Sequence, residues 1–330
     1  YKELDLAPFF MVALPLFAAM LIGDAGYGLF FMLTPLLWYR KMVAAAGKSK
    51  THLLLVIGIV TLVWGILSAN YFGLSPDNVA LAGGFFQTVD DRNVPDHAAM
   101  QAATGFWAAL GKIMIAAAPL WNADSEAARN LLMKLSLLFG CIHISLAHLR
   151  QFFALVPHPR CLAEIGWCIF IWAMLGVIWL LFFGIKGLPV PVSMVYAGLI
   201  IGFVLFLLFT TSHKNPVKRI GVGFASSLLP MLGTFSDTMS YIRLMAVGLA
   251  SYYIAAAFNS LGASVAPTAT WFAAAPILIF GHLLNIALCI IAVFAHGVRL
   301  NMLEFSNNAG IQWAGYAYQP FAGKQPLTDQ

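Results

Sequence analysis

Apolar runs of bilayer-crossing length, separated by short polar loops, constrain this chain more than any other feature of it. A run of about 20 apolar residues crosses a bilayer as a helix, which bonds its own N–H and C=O groups where no water reaches. Hydrophobic residues make up 61% of the 330 and charged residues 9%. Soluble domains carry about 25% charged residues. The expected fold class is an all-α integral membrane protein with eight transmembrane helices, the last two long and tilted.

The first apolar run, 6–38, would measure ~50 Å as one helix, too long for a ~30 Å hydrocarbon core. Gly23-Asp24-Ala25-Gly26 interrupts it. A break there gives spans over 7–22 and 26–41. Asp24 either caps the second helix or serves packing or channel structure, and Gly23, Gly26 and Gly28 allow close helix approach. A third span is expected over 53–72, a fourth over 127–155, a fifth over 161–184 and a sixth over 192–211. A seventh follows the polar loop 212–219 and reaches Leu261, and the eighth covers 270–307. Residues 1–72 thus form three spans, 129–307 form spans four to eight, and 308–330 form a tail.

Residues 73–128 differ. Asp77, Asp90, Asp91, Arg92, Asp96, Asp124 and Glu126 gather there, with Pro76 and Pro95 as breakers. Within this loop, 105–121 is apolar but short and contains Lys112, the pattern of an interfacial amphipathic helix. Loops after spans two, four and six hold Arg40, Lys41, Lys48, Lys50, Arg150, Arg160, Lys214, Lys218 and Arg219. Those after five and seven hold only Lys186. The positive-inside rule puts the first set in the cytoplasm, with both termini, and the acidic loop outside. Cys141, Cys161, Cys168 and Cys289 read as small buried hydrophobes, since no CxxC or paired spacing occurs. Few charges despite a pI near 9.0 give no sign of nucleic-acid binding. A start at Tyr1 suggests a fragment.

Two constellations carry chemistry. The stretch 233–252, GTFSDTMSYIRLMAVGLASY, is apolar enough to cross a membrane and carries Arg243 in its middle. Burying a charge at the bilayer centre costs at least ~2.5–3.5 kcal/mol, so an Arg there is a functional hypothesis. Snorkelling to the headgroups fits poorly, because the basic edge at Lys218 and Arg219 is ~36 Å away along a helix. Ser236, Ser240 and Arg243 fall on one helical face. The second constellation is His282, Asn285, Cys289, His296 and Arg299, spaced by 3, 4, 7 and 3 residues, which keeps them on one stripe. That stripe must face protein or water, either as a hydrated path or as polar glue between helices. No HExxH pattern, Ser/His/Asp arrangement, phosphate loop or dinucleotide fingerprint is present, so no cofactor, metal or catalytic site is expected in this chain.

The run SDTMSYIRLMAVGLAS resembles the signature of the membrane domain of rotary V/A-type ATPases, subunit I in prokaryotes and subunit a in eukaryotes. IGDAGYGL (22–29), LLVIGIVTLVWGILSANYFGLS in the third span and HGVRLNMLEF (296–305) are similar to the same family, in order and spacing. The resemblance implies a stator facing a proteolipid ring, H⁺ or Na⁺ transport through two half-channels, and Arg243 and Arg299 as the ring-facing arginines. It also implies peripheral stalk subunits as partners, bound through an N-terminal cytoplasmic domain absent before Tyr1, and a prokaryotic inner membrane as the location. Two departures matter. Family members often carry a Glu about four helical turns before the first arginine, where this chain reads Leu228-Leu229-Pro230. Eukaryotic members carry a Glu ten residues before the second, where this chain has Cys289. The half-channels must then use other groups, with His282, Asn285, Cys289, His296, Asp237, Ser240, His143, His148 and Glu164 as candidates. Two other classes stay open: a self-contained secondary transporter of an anionic solute, and a structural membrane scaffold.

Overall fold

The computed structural model describes residues 7–89, 92–122, 124–210 and 216–311. Asp90, Asp91, Lys214 and most of the expected tail lie outside the described residues. Helices dominate: α1 (Ala7–Ile22), α2 (Ala25–Leu37), α3 (Tyr39–Ala46), α4 (Lys48–Leu67), α5 (Pro76–Ala82), α6 (His97–Ala102), α7 (Phe106–Ala117), α8 (Ser125–Leu155), α9 (Cys161–Phe183), α10 (Val192–Phe209), α11 (Pro216–Ser240) and α12 (Ile242–Ala292). Two wide π-type turns, Val293–Gly297 and Leu300–Phe305, continue the chain beyond α12.

Among the described residues, six helices are long and apolar enough to cross a membrane: Lys48–Leu67, Glu126–Leu155, Cys161–Phe183, Val192–Phe209, Leu229–Ala266 and Phe272–Asn308. The first two expected spans are shorter apolar helices, α1 of 16 residues and α2 of 13. Local chemistry sets their ends. Gly23 takes a positive φ of 65°, and Asp24 then caps α2 through Gly26 and Tyr27. Pro35, in the last turn of α2, precedes a turn at Trp38 that hands the chain to α3. The third span also shifts: α4 starts at Lys48 and ends at Leu67, because Ala69 and Phe72 adopt positive φ.

The seventh and eighth expected spans form one hairpin. As a straight helix, 51 residues of α12 would measure ~77 Å. Instead Gly262 packs on Leu278, Gly281 on Phe258 and Cys289 on Ser251, so the arms run antiparallel and reverse between 266 and 272. Tyr241 separates α11 from α12.

The main core joins α1, α8, α9, the Tyr241 junction and the end of the second arm, through Phe17, Leu21, Leu137, Ile171, Leu244 and Leu300. In lipid such a core is held by close packing rather than by transfer out of water. Met194, Ile200 and Ile201 of α10 stay exposed, the surface a lipid-facing helix needs. The segment between α4 and α8 forms a separate cap in which Val79, Met100, Ala108 and Met114 pack together. It contains a small antiparallel hairpin, β1 (Phe86–Val89) with β2 (Arg92–Pro95), absent from the sequence reading. Helix α7 buries Ala108, Gly111 and Met114 against the cap and leaves Phe106 and Ile113 exposed.

Candidate functional site

Two polar clusters form inside the bundle. The first surrounds the arginines. Arg243, at the start of α12, is partly buried, and its Nη1 is buried without a hydrogen-bond partner among the described residues. Arg299 lies between the two wide turns, half exposed, with Nε 3.5 Å from Glu304 Oε1. Glu304 is 4% exposed and its Oε2 has no partner among the described residues. Arg243, Arg299 and Asp237 all lie within electrostatic range of Glu304, and both arginines within range of His296. Asp237 accepts a hydrogen bond from Asn308 Nδ2 at 3.0 Å. Two carboxylates, two guanidiniums and one imidazole therefore share this end of the hairpin.

Two histidines extend this cluster toward α9. His148 Nδ1 lies 2.8 Å from Glu164 Oε2, the geometry of an N–H donated to a carboxylate, and its ring stacks on Trp167. His148 also lies within electrostatic range of Asp237. His143 Nδ1 shares a 2.9 Å hydrogen bond with the Tyr241 hydroxyl, and its ring stacks on Phe305. The Nε2 atoms of both rings are buried without partners among the described residues. Unpaired buried groups cost free energy, so this row of open donors and acceptors suits water or a visiting polar group.

Ser240 does not join them. Its hydroxyl donates to the Ser236 carbonyl one turn back, 3.0 Å away, as serines in helices commonly do. The break at Tyr241 lies between Ser240 and Arg243, so the shared face expected from an unbroken helix is interrupted.

The second cluster holds His282, Asn285 and Cys289. Asn285 Nδ2 donates to the Tyr27 hydroxyl at 3.0 Å and to the Ser251 carbonyl at 2.9 Å. Tyr27 is 2.9 Å from His282 Nδ1, and His282 Nε2 is 3.2 Å from Asn259 Oδ1. Asn259 Nδ2 donates to the Phe72 carbonyl at 2.7 Å. One direction satisfies every bond: Tyr27, already accepting from Asn285, donates to Nδ1, and the ring carries its proton on Nε2. Cys289 meets the Ser251 hydroxyl at 3.3 Å. Asn285 and Cys289 are buried, so here the stripe ties the two arms to each other and to α2.

The five-residue stripe thus divides. Its first three members join the second cluster and its last two the arginine cluster. Tyr241 sits beside Arg243 in the motif and is expected near it; Glu304, Asn308, Tyr27, Ser251 and Asn259 also complete these clusters and do not stand out in the sequence. Glu304 had a usable signal, an acid at the end of an apolar span and inside HGVRLNMLEF. The others are ordinary polar residues whose partners lie far along the chain.

V-type ATP synthase subunit I of Borreliella burgdorferi is 30% identical over 334 residues, covering 97% of this chain and 50% of its own length. V-type ATP synthase subunit I 1 of Treponema pallidum is 32% identical over 330 residues, covering 97% and 48%. A-type ATP synthase subunit I of Archaeoglobus fulgidus is 24% identical over 360 residues, covering 97% and 49%. No protein-family model matches the chain. The chain spans about half the length of the curated relatives it matches. Nearly its whole sequence is therefore homologous to roughly half of V-type and A-type ATP synthase subunit I, the resemblance that its arginine-bearing motifs express.

Proposed function

We propose that this chain is the membrane stator of a V/A-type rotary ATPase, carrying H⁺ or Na⁺ past a proteolipid ring. In this reading α1 and the α2–α3 pair also cross the membrane, giving eight spans. Both termini face the cytoplasm of a prokaryote, and the cap faces outward. Peripheral stalk subunits are further partners, reached through an N-terminal domain of the whole protein. ATP chemistry belongs to other subunits of the complex.

The observation that carries the reading is Arg243, a guanidinium inside an apolar bundle with a buried nitrogen that has no partner among the described residues. Arginine keeps its proton in low dielectric, its pKa being above ~12. It favours the ionised form of a carboxylate brought beside it. Away from it, in lipid, that carboxylate must be protonated or neutralised by a cation. A moving ring carboxylate would therefore release its ion on approach and take another on departure. The fixed positive charge would also oppose a direct leak between the two half-paths. Glu304, Asp237, His148, Glu164, His143 and His296 supply exchangeable groups on the arginine side. The tightly bonded His282–Asn285–Cys289 group is read as a clamp between helices, which leaves it a smaller part in ion movement.

The test is reconstitution of assembled complexes in liposomes with ATP-driven ion flux as the readout. Arg243→Ala should assemble and lose flux to background. Arg243→Lys should be impaired, since a buried ammonium can shed its proton. Arg299→Ala should be milder, because Arg299 is half exposed and Arg243 remains. Normal flux from assembled Arg243→Ala complexes refutes the stator reading.

A further inference from the structure

A cavity of about 150 Å³ lies between the cap and the bundle, lined by the ends of α1 and α4, the start of α8 and residues 245–253 of α12. Asp77, Asn122 and Arg129 line it at the cap end, and Gly23 and Gly248 line it at depth. The volume holds several waters. Asn70, in its wall, donates through Nδ2 to the Gly23 carbonyl at 2.9 Å, while its Oδ1 is buried without a partner among the described residues. That acceptor suits water.

Asp77, in the first turn of α5, pairs with His97 of α6, Oδ1 to Nε2 at 3.0 Å. The His97 ring meets Trp121 edge-on at 5.0 Å, and Trp121 also lines the cavity. The Asp77 side chain is 37% exposed and lines the cavity, so one carboxylate stands open to water at the cap end. The other titratable or charged groups facing it are Arg129 of α8 and Tyr252 and Tyr253 of α12, with Asp96 close behind His97. Burial raises the Asp77 pKa above the ordinary carboxylate value, and His97 pulls it the other way.

We propose that Asp77, held by His97, is the outermost proton-exchanging group of this protein and that the cavity is its hydrated antechamber. The carboxylate takes a proton from outer hydronium, leaving water, and as the acid passes it to water in the cavity, regenerating the carboxylate. The reverse sequence carries protons outward. Met245, Gly248 and Leu249 show the cavity to be beside α12 just beyond Arg243 in sequence. By helical spacing that is a different face from Arg243, so the chamber reaches its depth without opening onto it. This inference rests on the stator reading.

The test uses the assembled complex in liposomes with the cap side accessible. Asn122→Cys and Leu249→Cys should both react with a small water-soluble thiol reagent, and modified Leu249→Cys should lose flux. Reaction at Asn122→Cys alone overturns the antechamber. Asp77→Asn should lower flux and abolish its dependence on outer pH, leaving dependence on inner pH intact. Asp77→Glu should restore the outer dependence. An unchanged outer-pH profile in assembled Asp77→Asn complexes overturns the role of Asp77. Arg243→Ala measured alongside separates the two claims: if it loses flux while Asp77→Asn behaves normally, only the present inference falls.

Discussion

Asp24 shows how a carboxylate can serve geometry alone. It is 1% exposed and accepts four backbone N–H groups: Gly26 at 2.7 Å, Tyr27 at 3.2 Å, Phe72 at 2.8 Å and Gly73 at 2.8 Å. Each buried donor left without an acceptor costs about 1–3 kcal/mol. Asp24→Ala should therefore lose several such increments and unfold at clearly lower temperature in detergent. Asp24→Asn, which keeps one acceptor oxygen, should lie between; an Ala variant as stable as the parent would remove this account. The cap on α2 was legible, because Asp before an apolar run is a helix-start signal, but the bonds to Phe72 and Gly73 come from remote backbone. Cys289 gives a second residue-scale expectation. Buried against Ser251, it should resist a water-soluble thiol reagent, while Arg299→Cys, at a half-exposed position, should react. Arg243 could be picked out from sequence because charge in an apolar span is costly wherever it falls. Glu304 follows the same logic but stands near the end of its span, where a charge is less conspicuous.

Helices α2 and α4 pack backbone against backbone. A Cβ at Gly58 would lie 2.4 Å from the backbone nitrogen of Met32, and one at Gly28 2.4 Å from that of Leu62. Backbones this close leave no room for any side chain, and small-residue contacts of this kind are what join helices in lipid. Gly58→Leu should force the pair apart and lower both folded yield and thermal stability in detergent, whereas Val56→Leu, at an exposed position of the same helix, should be neutral. Equal stability of the two variants would contradict the packing described. Helix content was readable from apolar length, yet breaks inside the helices were less so. Tyr241 carries no breaker chemistry; its fully buried ring is held by His143 on another helix, and that tertiary bond accompanies the interruption. The stripe from His282 to Arg299 assumed 3.6 residues per turn throughout. The wide turns at Val293–Gly297 and Leu300–Phe305 each depart from that period, so an extrapolated face loses its register there.

For the molecule as a whole, the distribution of Lys and Arg sets an expected orientation that single-cysteine labelling can check. Lys48→Cys and Gln87→Cys, both at exposed positions, should react from opposite sides of a sealed vesicle. Labelling from one side would reverse the assignment of the cap. The cap's existence was legible as an acidic, Pro-broken stretch, but its hairpin was not, since two four-residue strands rich in polar residues carry almost no periodicity. The long hairpin has a mechanical consequence. Its two arms are joined to each other by Ser251, Asn285 and Cys289, to α2 by Tyr27, and to the turn after α4 by Asn259. That same turn is fastened to Asp24 through Phe72 and Gly73. A sideways push on the arginine-bearing end would not simply bend a free rod; it would also load this braced frame of hydrogen bonds through α2 and the turn after α4.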